Sequence, residues 1–121
     1  PGKPADQRMI AMIAYGGRMG NALPPSTDGW DFRGRGPIQL TGRDAYAAFQ
    51  SSSNFGVLDD PELLLVPEVG AASAGWFWAR NKCNPPADSW NLRAVRKIVN
   101  GGSIGLDHFV ELAEKCKRNF E

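Results

Sequence analysis

The chain has 121 residues, of which 42% are hydrophobic and 22% are charged, and its formal net charge is +1. This length and composition predict one ordinary soluble globular domain over residues 1–121. The near-balanced charge argues against a nucleic-acid partner, and no apolar run approaches the roughly 20 residues of a membrane span. No signal peptide is visible.

The first predicted element is the apolar segment from Arg8 to Tyr15, whose Met and Ala residues favour a buried helix that ends at Gly16-Gly17. Residues 18–38 have the Gly, Pro, Ser, Thr and Asp content of a long loop, which is usually functional or mobile. A capping box at residues 41–44 then predicts a helix to about residue 50, with Tyr46 and Phe49 on its buried face.

The middle of the chain predicts a short helical segment and a long apolar helix. Asp60 is the expected N-cap of the short segment, which begins at Pro61 and ends before residue 67. Residues 67–82 form the most hydrophobic predicted helix, so we place its 76–78 segment at the centre of the fold. Gly70 and Gly75 each cost about 1 kcal/mol relative to alanine, which suggests that another helix packs closely there.

The last third predicts a break at Asn84-Pro85-Pro86 and two further helices. Asp88 or Ser89 can cap the first of them, which turns its apolar side chains to one face and its basic ones (Arg93, Arg96 and Lys97) to water. The final helix starts near residue 105, and its apolar stripe comprises Leu106, Phe109, Val110, Ala113, Cys116 and Phe120. The expected architecture is therefore all-α.

The cysteines and the histidine do not suggest a metal centre. Cys83 and Cys116 either form one disulfide or are both small buried apolar groups. His108 is interpreted as a helix-surface residue, and a single histidine without a Cys-x-x-Cys pair excludes ordinary zinc-site spacing. We predict no metal or cofactor.

Five sequence blocks, in the same order, resemble glycoside hydrolase family 19, which includes chitinases and the lysozyme-type endolysins of bacteriophages. The blocks are Ala14-Tyr-Gly-Gly-Arg-Met-Gly-Asn21, Arg33-Gly-Arg-Gly-Pro-Ile-Gln-Leu-Thr-Gly42, Pro61-Glu-Leu-Leu, Gly75-Trp-Phe-Trp78 and Ile98-Val-Asn-Gly-Gly102. The resemblance implies a lysozyme-like helical domain with a long Gly/Pro-rich site loop, and it favours the bacterial endolysin branch.

The resemblance implies hydrolysis of β-1,4 bonds between N-acetylated amino sugars of peptidoglycan, or of chitin, by a phage-released or secreted monomer acting on the cell wall. Family 19 enzymes invert configuration, which requires two carboxyl groups about 6.5–9.5 Å apart. The family acid lies in a His-Glu-Ser/Thr motif and the base is a second glutamate, both upstream of the block at residues 14–21. Neither is present, since no glutamate precedes Glu62. We therefore expect the C-terminal lobe of a larger catalytic domain, inactive alone; the alternative is a non-catalytic saccharide-binding or interaction domain.

The resemblance also suggests site residues. Thr41 matches the position whose hydroxyl holds the nucleophilic water, although it could serve only as a helix N-cap. Gln39 matches a position that binds the sugar amide, with a buried structural hydrogen bond as the alternative. Asn100 matches an asparagine that contacts substrate, with a turn residue in left-handed geometry as the alternative.

Four more residues of the matching region are candidate ligand contacts. Arg33 and Arg35 can pair with the catalytic carboxylates, bind acidic cell-wall groups or scaffold the loop. Tyr15 and Trp30 can stack on sugar faces, although buried aromatic residues are commoner.

Other positions of the site loop and of the last helix weaken the match or lack a site role. Asp28 and Asp31 lie on the site loop and are interpreted as turn formers. The family usually has an asparagine four residues after the threonine and an arginine near the middle of the last helix. This chain has Ala45 and Phe109 there, and each change removes a polar group.

Overall fold

The computed structural model describes residues 2–120, which divide into two compact units between Trp76 and Phe77. In chain order the helices are α1 (Gln7–Tyr15), α2 (Asp28–Asp31), α3 (Arg43–Ser53), a 3₁₀ helix (Pro61–Leu65), α4 (Pro67–Arg80), α5 (Asn84–Asp88), α6 (Leu92–Asn100) and α7 (Leu106–Phe120). Within residues 2–120, no helix has the length and apolarity needed to cross a membrane.

The core of the first unit forms around α3, because its two aromatic side chains, Tyr46 and Phe49, are completely buried as predicted. Phe32 contacts Tyr46 edge-on at 5.2 Å between ring centroids, and Trp76 contacts Phe49 in the same way at 5.6 Å. The other buried members are Leu40, Val57, Leu64 and Val69. The expectation that residues 76–78 form the centre is wrong, since Trp76 is only half-buried at the edge of this cluster.

Helix α1 is largely exposed, which corrects the prediction of a buried helix. Its backbone packs on α2 at Gly29, where an added Cβ would lie 2.7 Å from the Ala11 carbonyl oxygen. Since α2 has only four residues, it covers one side of α1, and Ala11 is the buried residue of that helix. Met9, Ile10 and Ile13 remain exposed, the last of them by 70%.

The N-terminus of α3 is capped by a distant loop and not by the predicted box. The N-cap residue is Gly42, at φ +91°, and the Thr41 hydroxyl donates instead to the Gln39 carbonyl at 2.7 Å. The Arg43 N–H donates to the Asn21 side chain at 2.9 Å, and the Asp44 N–H donates to the Met19 carbonyl at 3.0 Å. These bonds satisfy N–H groups that the helix itself leaves unpaired.

The predicted cap of the short segment is confirmed, because the Asp60 carboxylate accepts from the Glu62 N–H at 3.2 Å and Pro61 occupies the first turn. The expectation that another helix packs closely against the glycines of α4 holds at Gly70 and fails at Gly75. A Cβ at Gly70 would lie 2.9 Å from the carbonyl oxygen of Leu64 in the 3₁₀ helix and 3.1 Å from Pro37. A Cβ at Gly75 would meet nothing within 4 Å.

The second unit contains α5, α6 and α7. Residues 84–86 do not break the chain but form the first turn of α5, where proline lacks only an N–H that would be unpaired anyway. The cap of α6 is Asn91, whose side chain accepts from the Ala94 N–H at 3.1 Å, and not Asp88 or Ser89.

Two predictions about side chains of the second unit also need correction. Arg96 is half-buried, with its guanidinium 5.4 Å above the Phe109 ring, and does not face water as predicted. Cys83 is buried and Cys116 is exposed, and both are free thiols, so neither predicted state of the cysteines is correct. Phe120, expected on the apolar stripe of α7, is exposed, whereas His108 lies on the surface as predicted.

Candidate functional site

The 33–41 segment forms a short hairpin that organises the candidate site. Arg35 and Leu40 pair in an antiparallel bridge, with N···O distances of 3.2 and 3.0 Å. The turn between them has Gly36 at φ +76° and Gln39 at φ +55°, and the Gln39 N–H donates to the Gly36 carbonyl at 3.1 Å. Glycine is required at 36, since a side chain there would be strained and would lie 3.2 Å from the Leu64 carbonyl oxygen.

The side chains of Arg35 and Leu40, here called the inner face, are each only 4% exposed. The Arg35 guanidinium donates from Nη1 to the Asp31 carbonyl at 2.5 Å and to the Tyr46 hydroxyl at 2.9 Å. Its Nε and Nη2 donate to Glu62 Oε1 at 3.0 and 2.7 Å. We call Arg35, Tyr46 and Glu62 the arginine cluster, which joins the hairpin to α2, α3 and the 3₁₀ helix.

Each member of the arginine cluster has a shifted pKa. The hydrogen bond from Arg35 lowers the pKa of the Glu62 carboxyl, and this effect outweighs the opposing effect of burial. Burial lowers the pKa of Arg35, but the hydrogen bonds with Tyr46 and Glu62 outweigh it, so the pKa is raised. Burial raises the pKa of the Tyr46 phenol against the opposing effect of Arg35. At neutral pH the guanidinium and carboxylate are therefore charged and the phenol keeps its proton.

The opposite side of the hairpin, here called the outer face, carries Gly34, Gln39 and Thr41. A Cβ at Gly34 would lie 2.7 Å from Gln39 Oε1 and 3.1 Å from Thr41 Oγ1, so both side chains lie against the same glycine. Since the Thr41 hydroxyl donates to the Gln39 carbonyl, its lone pairs remain available to accept a hydrogen bond. Gln39 is exposed and its amide donates to the Gly36 carbonyl at 3.1 Å, so its predicted alternative, a buried bond, is not observed.

A pocket of about 420 Å³ gathers three of the predicted residues, Trp30, Arg33 and Arg35. The Arg33 guanidinium lies 3.9 Å above the Trp30 ring and donates to Glu62 at 3.3 Å. Gln39, Thr41 and Tyr15 are not among the residues that line this pocket. No sequence pattern identified Glu62 as a partner of the arginines, although its place in a capped first turn marked it as fixed in position.

The pairing of Arg35 with Glu62 favours the scaffolding interpretation of this buried arginine, whereas Arg33 is 31% exposed and its predicted roles stay open. The loop aspartates also make local bonds, which agrees with their interpretation as turn formers. Asp28 accepts from the Ala22 N–H at 2.9 Å, and Asp31 accepts from the Thr27 hydroxyl at 2.6 Å.

The remaining predicted residues lie at helix ends. Tyr15 is the last residue of α1, and its carbonyl accepts from the Asn21 amide at 3.1 Å. Asn100 is the exposed last residue of α6 in the second unit, and Gly101 at φ +70° takes the left-handed conformation that was the alternative for Asn100. The two residues that differ from the family pattern make contacts of their own. Ala45 packs against the buried core around α3, and the Phe109 ring contacts Arg96.

The chain is similar in sequence to a glycosyl hydrolase family 19 domain-containing protein and to plant endochitinases. A Haemophilus influenzae protein described as a glycosyl hydrolase family 19 domain-containing protein is 36% identical over 110 residues, which are 90% of this chain and 50% of that protein. Two Arabidopsis thaliana endochitinases are 39% and 35% identical over 64% and 75% of this chain, and over 27% and 36% of their own lengths. No protein-family model matches the chain.

The chain is related to glycoside hydrolase family 19. This relationship confirms the resemblance predicted from the five sequence blocks, and together with the helical architecture it confirms the all-α, lysozyme-like class. The chain spans half the length of its Haemophilus influenzae relative and about a third of the endochitinases. Among residues 2–120, no group of His, Cys, Asp and Glu side chains could hold a metal ion.

Proposed function

We propose that this chain is part of a family 19-type glycosidase that cleaves β-1,4 bonds between N-acetylated amino sugars, in peptidoglycan or in chitin. The observation that carries the proposal is the outer face, where Gln39 and Thr41 lie side by side on a fixed hairpin. It occurs in a chain that is 36% identical to a family 19 domain-containing protein.

Thr41 is proposed to hold the nucleophilic water of an inverting reaction. Because its hydroxyl proton is already donated to the Gln39 carbonyl, the oxygen can accept a hydrogen bond from that water. The second proton of the water would then point to a general base. Gln39 is proposed to bind the N-acetyl amide of the sugar, since a carboxamide both donates and accepts.

The acid and base glutamates are proposed to come from a part of the catalytic domain outside these 121 residues. The chain spans only half of its Haemophilus influenzae relative, which leaves room for a second lobe in a protein of that length. The exposed side chains of Met9, Ile10 and Ile13 on α1 form an apolar surface that such a lobe could cover. Asn100, Tyr15, Trp30 and Arg33 stay predicted substrate contacts.

Oligosaccharide binding tests the outer face. The chain is titrated with N-acetylglucosamine oligomers and with peptidoglycan glycan fragments, and the binding is followed by NMR. Gln39→Met, which removes the carboxamide but keeps the length of the side chain, should weaken binding about tenfold, the equivalent of one good hydrogen bond. Thr41→Val should leave the affinity unchanged, because the water that Thr41 is proposed to hold is not part of the sugar, and Ser52→Ala on the exposed side of α3 serves as the control. Absence of binding to either sugar by the native chain would overturn the proposal.

Lysis of permeabilised Gram-negative cells tests the missing glutamates. The chain alone should leave the turbidity unchanged, and clearing would show that these 121 residues contain a complete site. The chain joined to a family 19 segment with the His-Glu-Ser/Thr motif should clear the cells. If that joined protein binds sugar but never cleaves it, the non-catalytic saccharide-binding domain becomes the better description.

A further inference from the structure

The hairpin has few bonds of its own to hold its shape. The bridge between Arg35 and Leu40 contributes two backbone hydrogen bonds, and the turn adds one from the Gln39 N–H. Two short paired segments are at best marginally stable in water without further packing. The outer face therefore depends on contacts made beneath it.

The arginine cluster supplies these contacts on the first paired segment. The Arg35 side chain reaches three other elements through Asp31, Tyr46 and Glu62. The Tyr46 hydroxyl in turn donates to the Arg33 carbonyl at 2.7 Å, so the backbone on both sides of Gly34 is tied down. Because Gly34 lies against Gln39 and Thr41, a shift of this segment would displace both side chains.

We propose that Arg35 is the positioning residue of the site, whose buried guanidinium holds the hairpin in the register that presents Gln39 and Thr41 to the sugar. Arg35 cannot itself be a major sugar contact, because it is only 4% exposed and lies on the inner face. The inference rests on the proposed role of the outer face in binding saccharide.

Lysine cannot replace arginine in this role. The guanidinium donates from Nε, Nη1 and Nη2 in one plane to partners on three different elements. An ammonium group is a single point of charge that can keep the contact with Glu62 but cannot reach all three elements together. Arg35→Lys therefore separates the effect of geometry from that of charge.

Two readouts on the full 121-residue chain test the inference, with Arg35→Lys as the variant. Hydrogen exchange of the Leu40 and Gly42 amides, which bond to the Arg35 and Phe32 carbonyls, reports hairpin order without any ligand. Exchange in Arg35→Lys should be at least about tenfold faster than in the native chain. Binding of N-acetylglucosamine oligomers should weaken by about tenfold or more, which equals the loss of about one hydrogen bond to the sugar.

The control is Val57→Ala, a buried change in the α3 core that should lower global stability. Under conditions where every variant is folded, Val57→Ala should keep both amide protection at the hairpin and oligomer binding. If Arg35→Lys keeps protection and affinity at native values, or Val57→Ala loses both equally, the positioning role is wrong. If the native chain binds no sugar, the proposed function fails, while the exchange rates still decide whether Arg35 holds the hairpin.

Discussion

Arg35 donates to Glu62 from two nitrogens, Nε at 3.0 Å and Nη2 at 2.7 Å, and both bonds end on the same carboxylate oxygen, Oε1. The two residues differ in their surroundings, since Arg35 is 4% exposed and the Glu62 side chain is 56% exposed. The pair therefore joins a buried cation to a carboxylate that solvent and protons can reach. This arrangement makes Glu62 the accessible point at which pH acts on the cluster.

We expect the free energy of unfolding to fall in the acid pH range because of Glu62. Its pKa in the folded chain is lowered by Arg35, so the ionised carboxylate stabilises the fold above the ordinary glutamate pKa of about 4.3, and this contribution is lost as pH falls through the folded pKa. Glu62→Gln should remove that dependence. Solvent screening keeps the effect below about 1 kcal/mol.

Urea unfolding at pH 7, 5 and 3 measures this dependence. The difference in unfolding free energy between the native chain and Glu62→Gln should shrink towards pH 3. Ser52→Ala, a change of an exposed uncharged side chain on α3, is the control, and its difference from the native chain should not change with pH. A constant difference for Glu62→Gln at all three pH values would contradict the prediction.

The two glycines of α4 should respond to alanine in opposite directions. Gly70→Ala places a methyl group 2.9 Å from the Leu64 carbonyl oxygen and should destabilise the chain by about 1–3 kcal/mol. Gly75→Ala meets nothing within 4 Å and should stabilise the helix by up to about 1 kcal/mol. Thermal and urea unfolding of the two variants measures both effects. Equal responses would mean that the close approach at Gly70 does not exist.

The two thiols should differ in reactivity. Cys116 is exposed on α7 and should react readily with a thiol reagent such as dithionitrobenzoate in the native chain, whereas Cys83 is fully buried and should react only after denaturation. One reactive thiol per chain is therefore expected in native buffer and two in urea. In Cys116→Ser the native reaction should disappear. No free thiol in urea would instead indicate the disulfide that the sequence left open.

The apolar surface of α1 should tolerate charge in this chain. Ile13 is 70% exposed, so Ile13→Lys should change the free energy of unfolding by no more than about 0.5 kcal/mol. Ala11→Lys, two residues away on the buried side, should destabilise by several times as much because it forces a charge against α2. Loss of 2 kcal/mol or more in Ile13→Lys, by the same scale, would mean that this face is covered in the folded chain.

Local signals predicted part of the local structure, although they placed the cap of α6 too early in the chain. Asp60 and Pro61 gave a correct helix start because a cap needs only neighbouring residues. The spacing of apolar residues correctly predicted that Tyr46 and Phe49 are buried, because residues three positions apart lie on the same face of a helix such as α3. The box at residues 41–44 failed because the N–H groups of α3 found partners at Met19 and Asn21, more than 20 residues earlier in the chain.

The candidate site likewise has some features that local sequence predicts and others that depend on contacts between distant segments. Residue types in fixed local order were enough to predict the helical class and the relationship to family 19, both of which are confirmed, and to nominate Gln39 and Thr41 as site residues, which stays a prediction. Only the tertiary structure showed that Arg35 pairs with Glu62, that α1 is exposed and that Gly34 brings the two outer-face side chains together. Those features depend on which distant segments meet, and no helical or strand period links residues that lie 27 positions apart.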